Sequence, residues 1–140
     1  MTSWNEIGRQ VERRARQRCE YCKMHQSLQG ATFHIEHILP RSLGGTSVLD
    51  NLTWTCPSCN LHKSDRVVVQ VAGETDAIRL FHPRRDRWID HFQWEGYRAV
   101  ARTLVGQTTI DLLQFNHERK LLIRRAEALF DLFPPTIEGC

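Results

Sequence analysis

The chain has 140 residues, 41% of them hydrophobic and 25% charged, with a formal net charge of +3. That length suits one ordinary domain and excludes two large ones. No apolar run approaches the roughly 18 residues that a membrane span needs, and the opening segment "MTSWNEIGRQVERRARQRCEYC" has no signal-peptide core, so a cytoplasmic protein is expected.

Residues 3 to 18 are expected to be helical. Ser3 can cap, Glu6 follows at the capping-box spacing, and Ile7, Val11 and Ala15 share one face. Arg9, Arg13, Arg14 and Arg16 spread over the other faces, either solvated or facing nucleic acid. Residues 19 to 25 hold a first C-x-x-C pair, Cys19 and Cys22. "TFHIEHIL", 32 to 39, alternates and is rich in strand formers. "PRSLGGTSVLDN" reads as a loop, "LTWTC" as a second short strand, and "PSCNLHKSD", with Pro57 at a helix-start position, as one or two helical turns. Leu52 and Trp54 are expected in the core.

Beyond residue 66 the signals are weaker. "RVVVQVAG" reads as extended and "ETDAIRLFHPRRDRW" as loop with short strand. "HFQWEGYRAVARTLVG" has the shape of a hairpin, and Thr108 or Thr109 is expected to cap a helix through Phe115. Glu118 to Phe133 reads as an amphipathic helix whose apolar set is Leu121, Leu122, Ala126, Leu129, Phe130 and Phe133. The simplest organisation is a single α+β domain over 1–140, with a core at 19–66 and a C-terminal extension at 67–140.

The cysteines carry the first chemical inference. Cys19 and Cys22 form one pair, Cys56 and Cys59 a second, and Cys140 is left as a free thiol near the end. In a reducing compartment two such pairs read as four zinc ligands rather than two disulfides. Two knuckles complete a closed tetrahedron, so this zinc is expected to be structural. Sixteen of the nineteen basic residues are arginine, which suits bidentate phosphate contact and hints at nucleic acid, although sixteen acidic residues nearly balance them.

Between the pairs lie Glu36-His37 at the end of the first strand, Asn51 before the second, and Asn60 and Lys63 at the helix opening. Phosphodiester hydrolysis by one metal needs a base to activate water and a cation that keeps open positions. Histidine suits the first task. A carboxylate with an amide oxygen suits Mg²⁺ or Mn²⁺.

These residues, in "IEHILPRSLGG", "LDNL" and "CPSCNLHK" between the cysteine pairs, resemble the HNH endonucleases with their ββα-metal (His-Me) finger, in a variant of the HNN kind. The resemblance covers about residues 19 to 66. It implies His37 as general base, Asn51 as support for the loop and the base, and Glu36 and Asn60 as ligands of a catalytic Mg²⁺ or Mn²⁺. Counting from the second cysteine pair selects Asn60 rather than His62. It also implies DNA as substrate, 5′-phosphate and 3′-hydroxyl ends, and Lys63 and Arg41 near phosphates. The segments "LFHPRRDRWIDHFQW" and "TTIDLLQFN" resemble the tail of small stand-alone bacterial HNH proteins. There Arg84, Arg85 and Arg87 either clamp DNA or form a solvated turn. His34 is expected to pack behind the site. A non-catalytic zinc-stabilised DNA-binding module and a zinc-held protein-interaction domain are the alternatives.

Overall fold

A computed structural model describes residues 3–136. Helix α1 (Trp4–Arg14) begins on the expected capping box. The Ser3 hydroxyl accepts from the Glu6 amide at 3.2 Å and the Glu6 carboxylate accepts from the Ser3 amide at 3.4 Å, which satisfies amides the first turn leaves open. Val11 is fully buried, with Ile7 and Ala15 packed beside it. The helix stops at Arg14 rather than residue 18. Arg16 and Gln17 take left-handed backbone angles, φ 56° and 62°, and this turns the chain into the first cysteine pair.

Strands β1 (His34–His37) and β2 (Leu52–Thr55) pair antiparallel, with Glu36 opposite Thr53 and His37 opposite Leu52. Helix α2 (Pro57–Lys63) follows directly. Pro57 opens it, where a missing amide costs nothing, and the Cys56 sulfur accepts from the Cys59 amide at 3.4 Å. The outer edge of β2 is tied to the first knuckle. The Glu20 amide donates to the Trp54 carbonyl at 2.9 Å, and the Trp54 amide donates to the Glu20 carboxylate at 3.0 Å.

The rest is a second, smaller strand pair, β3 (Val68–Val69) with β4 (Ile78–Arg79), a short α3 (Trp88–His91), the hairpin β5 (Phe92–Glu95) with β6 (Arg98–Ala101), and helices α4 (Leu104–Leu113) and α5 (Glu118–Leu129). The architecture is α+β. One apolar cluster runs from Val11 through the four cysteines, Leu52 and Trp54 to Phe81, Trp88, Phe92 and Phe115. Trp88 joins the hairpin to the knuckle, because its indole donates to the Tyr21 carbonyl at 2.9 Å and its ring packs on Phe92 at 4.9 Å.

Two expectations are corrected here. Helix α4 is capped by Thr103, whose hydroxyl accepts from Gly106 at 3.0 Å. Thr108 and Thr109 are instead buried, and Thr109 accepts from the Phe81 amide and donates to Val105. Gly106, in the first turn, passes against α3, where a Cβ would meet the His91 carbonyl oxygen at 2.2 Å. Helix α5 stops at Leu129, short of the expected Phe133, and of its expected apolar set Leu121 and Ala126 are half-buried while Leu122 is exposed. Lys120, Arg124 and Glu127 are buried, while Leu129 and Phe130 are 82% and 65% exposed. No helix among the described residues is long and apolar enough to cross a membrane. Cys140 lies outside the described residues.

Candidate active site and metal centre

Cys19, Cys22, Cys56 and Cys59 are all buried, and their sulfurs lie within 4.8 Å of one another. Cys22 and Cys56 are 3.8 Å apart, which matches the edge of about 3.8 Å expected for a tetrahedron with zinc–sulfur bonds of about 2.3 Å. Burial opposes a thiolate at Cys22, but the neighbouring thiols and Lys120 favour it, and its thiol falls well below the ordinary range. Hydrogen bonding to Cys19 and Cys22 pushes Cys56 up, and burial with the same neighbours pushes Cys59 up. One negative charge is therefore stabilised and further ones need a cation. The donor set fits zinc.

Four thiolates around a divalent cation leave two negative charges, and α5 supplies two buried cations beside them. The Lys120 ammonium lies 3.6 Å from the Cys59 sulfur and donates to the Leu113 carbonyl at 2.8 Å. Arg124 donates to the Cys22 carbonyl at 3.2 Å and to Tyr97 at 3.0 Å, with its guanidinium over the Trp94 ring at 5.0 Å. Burial pulls Lys120 down, but the thiols outweigh it and the ammonium is held above its ordinary value. A buried charge persists where it is paired. This is why the helix presents its charged face to the core.

In the ββα unit Glu36 is 8% exposed, and neither carboxylate oxygen has a hydrogen-bond partner of good geometry. Burial raises its pKa to about 7 against the opposing charge of Lys63. Lys63, expected to face a phosphate, is 1% exposed. Its ammonium sits 3.3 Å from Glu36 and donates to the Ile38 carbonyl at 3.2 Å. A carboxylate this deep needs a cation, and α2 supplies one. The Glu36 oxygens are left without a hydrogen bond, with the Lys63 ammonium as their charge partner.

His37, on the neighbouring position of β1, has a different environment. Its Nε2 lies 2.8 Å from the Ser47 hydroxyl, and its ring stacks on Trp4 with centroids 6.3 Å apart and planes 12° from parallel. Burial, then the positive charge of Arg41, holds its pKa below the ordinary histidine value. Asn51 ties the intervening loop at three points. Its amide nitrogen donates to Leu39 and Thr46 at 3.0 and 2.9 Å, and its oxygen accepts from the Leu39 amide at 2.8 Å. Gly45 is obligatory there, since a Cβ would fall 1.7 Å from the Leu39 carbonyl oxygen.

Asn60 lies three residues before Lys63 on α2, hence on the same face, and its side-chain amide has no hydrogen-bond partner among the described residues. His62 bonds through Nδ1 to the Ser58 carbonyl at 2.8 Å. His34, expected to pack behind the site, is exposed at the strand start. Arg41 is exposed in the loop. Arg84 and Arg85 stand apart from Glu36 and His37, on the turn before α3; Arg84 forms an ion pair with Glu20. The residues that sequence reasoning missed are Trp4, Ser47, Lys120 and Arg124. Only the i, i+4 spacing of two basic residues in α5 offered a signal.

The HNH endonuclease family model matches residues 19–66. The chain is 26% identical over 112 residues to the Septu protein PtuB of Bacillus thuringiensis, a match that takes in 77% of this chain. The chain spans 40% of the length of that curated relative. No solved structure matches. The segment that matches the HNH endonuclease model is the one that holds the cysteine cluster and the ββα unit with Glu36, His37, Asn51 and Asn60.

Proposed function

We propose that the protein is a metal-dependent endonuclease that hydrolyses DNA phosphodiester bonds, with His37 as general base. The observation that carries the reading is Glu36, a buried carboxylate without a hydrogen bond, next to a histidine held by Ser47 and Trp4. Burial and Arg41 keep the imidazole neutral near pH 7, the form that accepts a proton from water. Asn51 fixes the loop that carries Ser47, and so fixes the hydroxyl that orients the ring. Glu36 and Asn60 would hold Mg²⁺ or Mn²⁺, which supplies Lewis-acid stabilisation of the phosphorane and of the leaving 3′ oxygen. The products are 5′-phosphate and 3′-hydroxyl ends. Arg41 lies beside the base and meets the phosphate backbone there, and Arg84 and Arg85 extend the contact. Cys19, Cys22, Cys56 and Cys59 hold a structural zinc that fixes α2 against β1.

A second reading has one observation in its favour. Lys63 already neutralises Glu36, as it would in a zinc-stabilised DNA-binding module that does not cut. Supercoiled plasmid incubated with the protein and Mg²⁺ or Mn²⁺ separates the two readings, because only the nuclease relaxes or linearises it. A metal titration of that cleavage tests the ligand. Asn60→Ala should raise the metal concentration needed, while His62→Ala should stay within a few fold. The opposite ranking moves the ligand to His62.

A further inference from the structure

The outer edge of β2, away from Glu36 and His37, opens on a cavity of about 570 Å³ between the end of α1, the first cysteine knuckle and the turn before α3. Seven of its lining side chains are basic and two are acidic. Both carboxylates are committed. Glu20 pairs with Arg84 and accepts from the Trp54 amide. Asp86 accepts from Arg79 at 2.6 and 3.1 Å and from the His82 amide at 2.8 Å.

Among the cations, Arg18 pairs with Glu127 and Arg84 with Glu20. The Nε of Arg84 is buried with no hydrogen-bond partner. Burial and the like charge of Arg14 bring its pKa down to about 10. The guanidinium groups of Arg85 and Arg87 make no ion pair or hydrogen bond among the described residues. Arg14 is held against the strand, donating to the Leu49 and Leu52 carbonyls at 3.0 and 2.6 Å. Arg85 and Arg87, unpaired beside the half-buried Arg84 and with Glu20 and Asp86 already committed, produce a field that an anion relieves. Their planar forks suit the oxygens of phosphate better than a point cation does. The location adds direction. Leu52, whose carbonyl Arg14 bonds at 2.6 Å, is the cross-strand partner of His37, so β2 alone stands between this wall and the β1 backbone, itself one strand spacing of about 5 Å away.

We propose that this cavity is a phosphate-binding site, filled by the phosphates of a nucleic-acid strand that continues toward His37 or by the polyphosphate of a free nucleotide. The nucleic-acid source rests on the nuclease reading; the phosphate chemistry itself does not.

The test compares the wild type with Arg85→Gln/Arg87→Gln, a double variant confined to the two unpaired guanidinium groups, both proteins being shown folded by thermal melting. Pyrophosphate and ATP binding are measured by calorimetry, and duplex DNA binding is measured across a salt series without added divalent metal. The expected result is at least a tenfold loss of pyrophosphate affinity. A fall of about two in the slope of log affinity against log salt, since each lost phosphate contact removes roughly 0.9, identifies the nucleic-acid strand as the source. Loss of pyrophosphate and ATP affinity with an unchanged DNA slope identifies a free nucleotide. If the double variant changes neither anion binding nor the DNA slope, the site is overturned. A wild type that never cuts plasmid, while these differences persist, removes the nuclease reading and leaves the phosphate site standing.

Discussion

The ββα unit and helix α5 both bury charged residues, but for different partners. In the ββα unit the buried pair is Glu36 with Lys63, and the carboxylate is left short of hydrogen bonds. In α5 the buried cations Lys120 and Arg124 face the thiols, and each also donates to a backbone carbonyl. Both leave buried atoms without a hydrogen bond, Arg124 Nε in α5 as well as the two Glu36 oxygens, but the α5 cations face four thiols and backbone carbonyls, whereas the Glu36 carboxylate faces one ammonium. A buried charge with a single partner has room for a second ligand, whereas one set among many partners is fixed in place. On this basis α5 is the charge support of the cysteine cluster, and Glu36 is a ligand in the proposed catalytic metal site.

The sharpest way to break this comparison is to remove the cluster. Structural zinc contributes on the order of 10 kcal/mol to folding, so Cys56→Ser should leave a chain without a cooperative melt. Zinc-free protein that still melts cooperatively in chelator would contradict the role given to the thiols. The next largest effect is expected in α5. Lys120→Met strands thiolate charge in the core and should cost about 3–5 kcal/mol in denaturant unfolding. Leu129→Ser, on the exposed side, should stay within about 0.5 kcal/mol. The reverse ranking would mean that α5 packs on its apolar face after all.

A smaller loss is expected at the loop. Asn51→Ala removes three hydrogen bonds, each contributing about 1 kcal/mol net, and should slow cleavage more than it weakens DNA binding. Equal effects on both would reduce Asn51 to a stabiliser. The smallest effect is electrostatic. His37 must be neutral to act as base, so cleavage should rise with pH through its pKa, and this limb should lie below the ordinary histidine value of about 6.5. Arg41→Ala removes a positive charge that favours the neutral ring, so the limb should move to higher pH. A limb that does not move, measured on the pH–rate profile, removes Arg41 from the environment of the base.

Where one chemical requirement fixes residue type at fixed spacing, the sequence was legible. Ser3 with Glu6, the doubled C-x-x-C, the strand pair around Asn51 and Pro57 at the head of α2 all stand as read. The cap and the proline depend on neighbours within a few residues, and the other two on short motifs that each announce themselves locally. What failed depended on partners far along the chain. The apolar positions of α5 suggested one face, but the field of thiols near residues 20 and 60 drew Lys120 and Arg124 inward. Lys63 read as a surface cation because nothing local reveals that Glu36 is buried. Thr103 is the exception, a local cap three residues before Gly106, but Thr108 and Thr109 offer the same residue type nearby and only their burial in the core removes them. Trp4 and Ser47 reach His37 across more than 30 residues and across a loop respectively, with no spacing rule to announce either.

The most direct test of the nuclease reading pairs two measurements on His37→Ala: plasmid cleavage with Mg²⁺ or Mn²⁺, and DNA binding in the same salt. The substitution leaves the cysteine cluster, Glu36, Asn60 and every arginine in place. Loss of a general base costs about 10²–10⁴ in rate, whereas DNA affinity rests on the cations. Cleavage should therefore fall by that factor while binding stays unchanged. A variant that cuts as fast as the wild type would show that His37 is not the base.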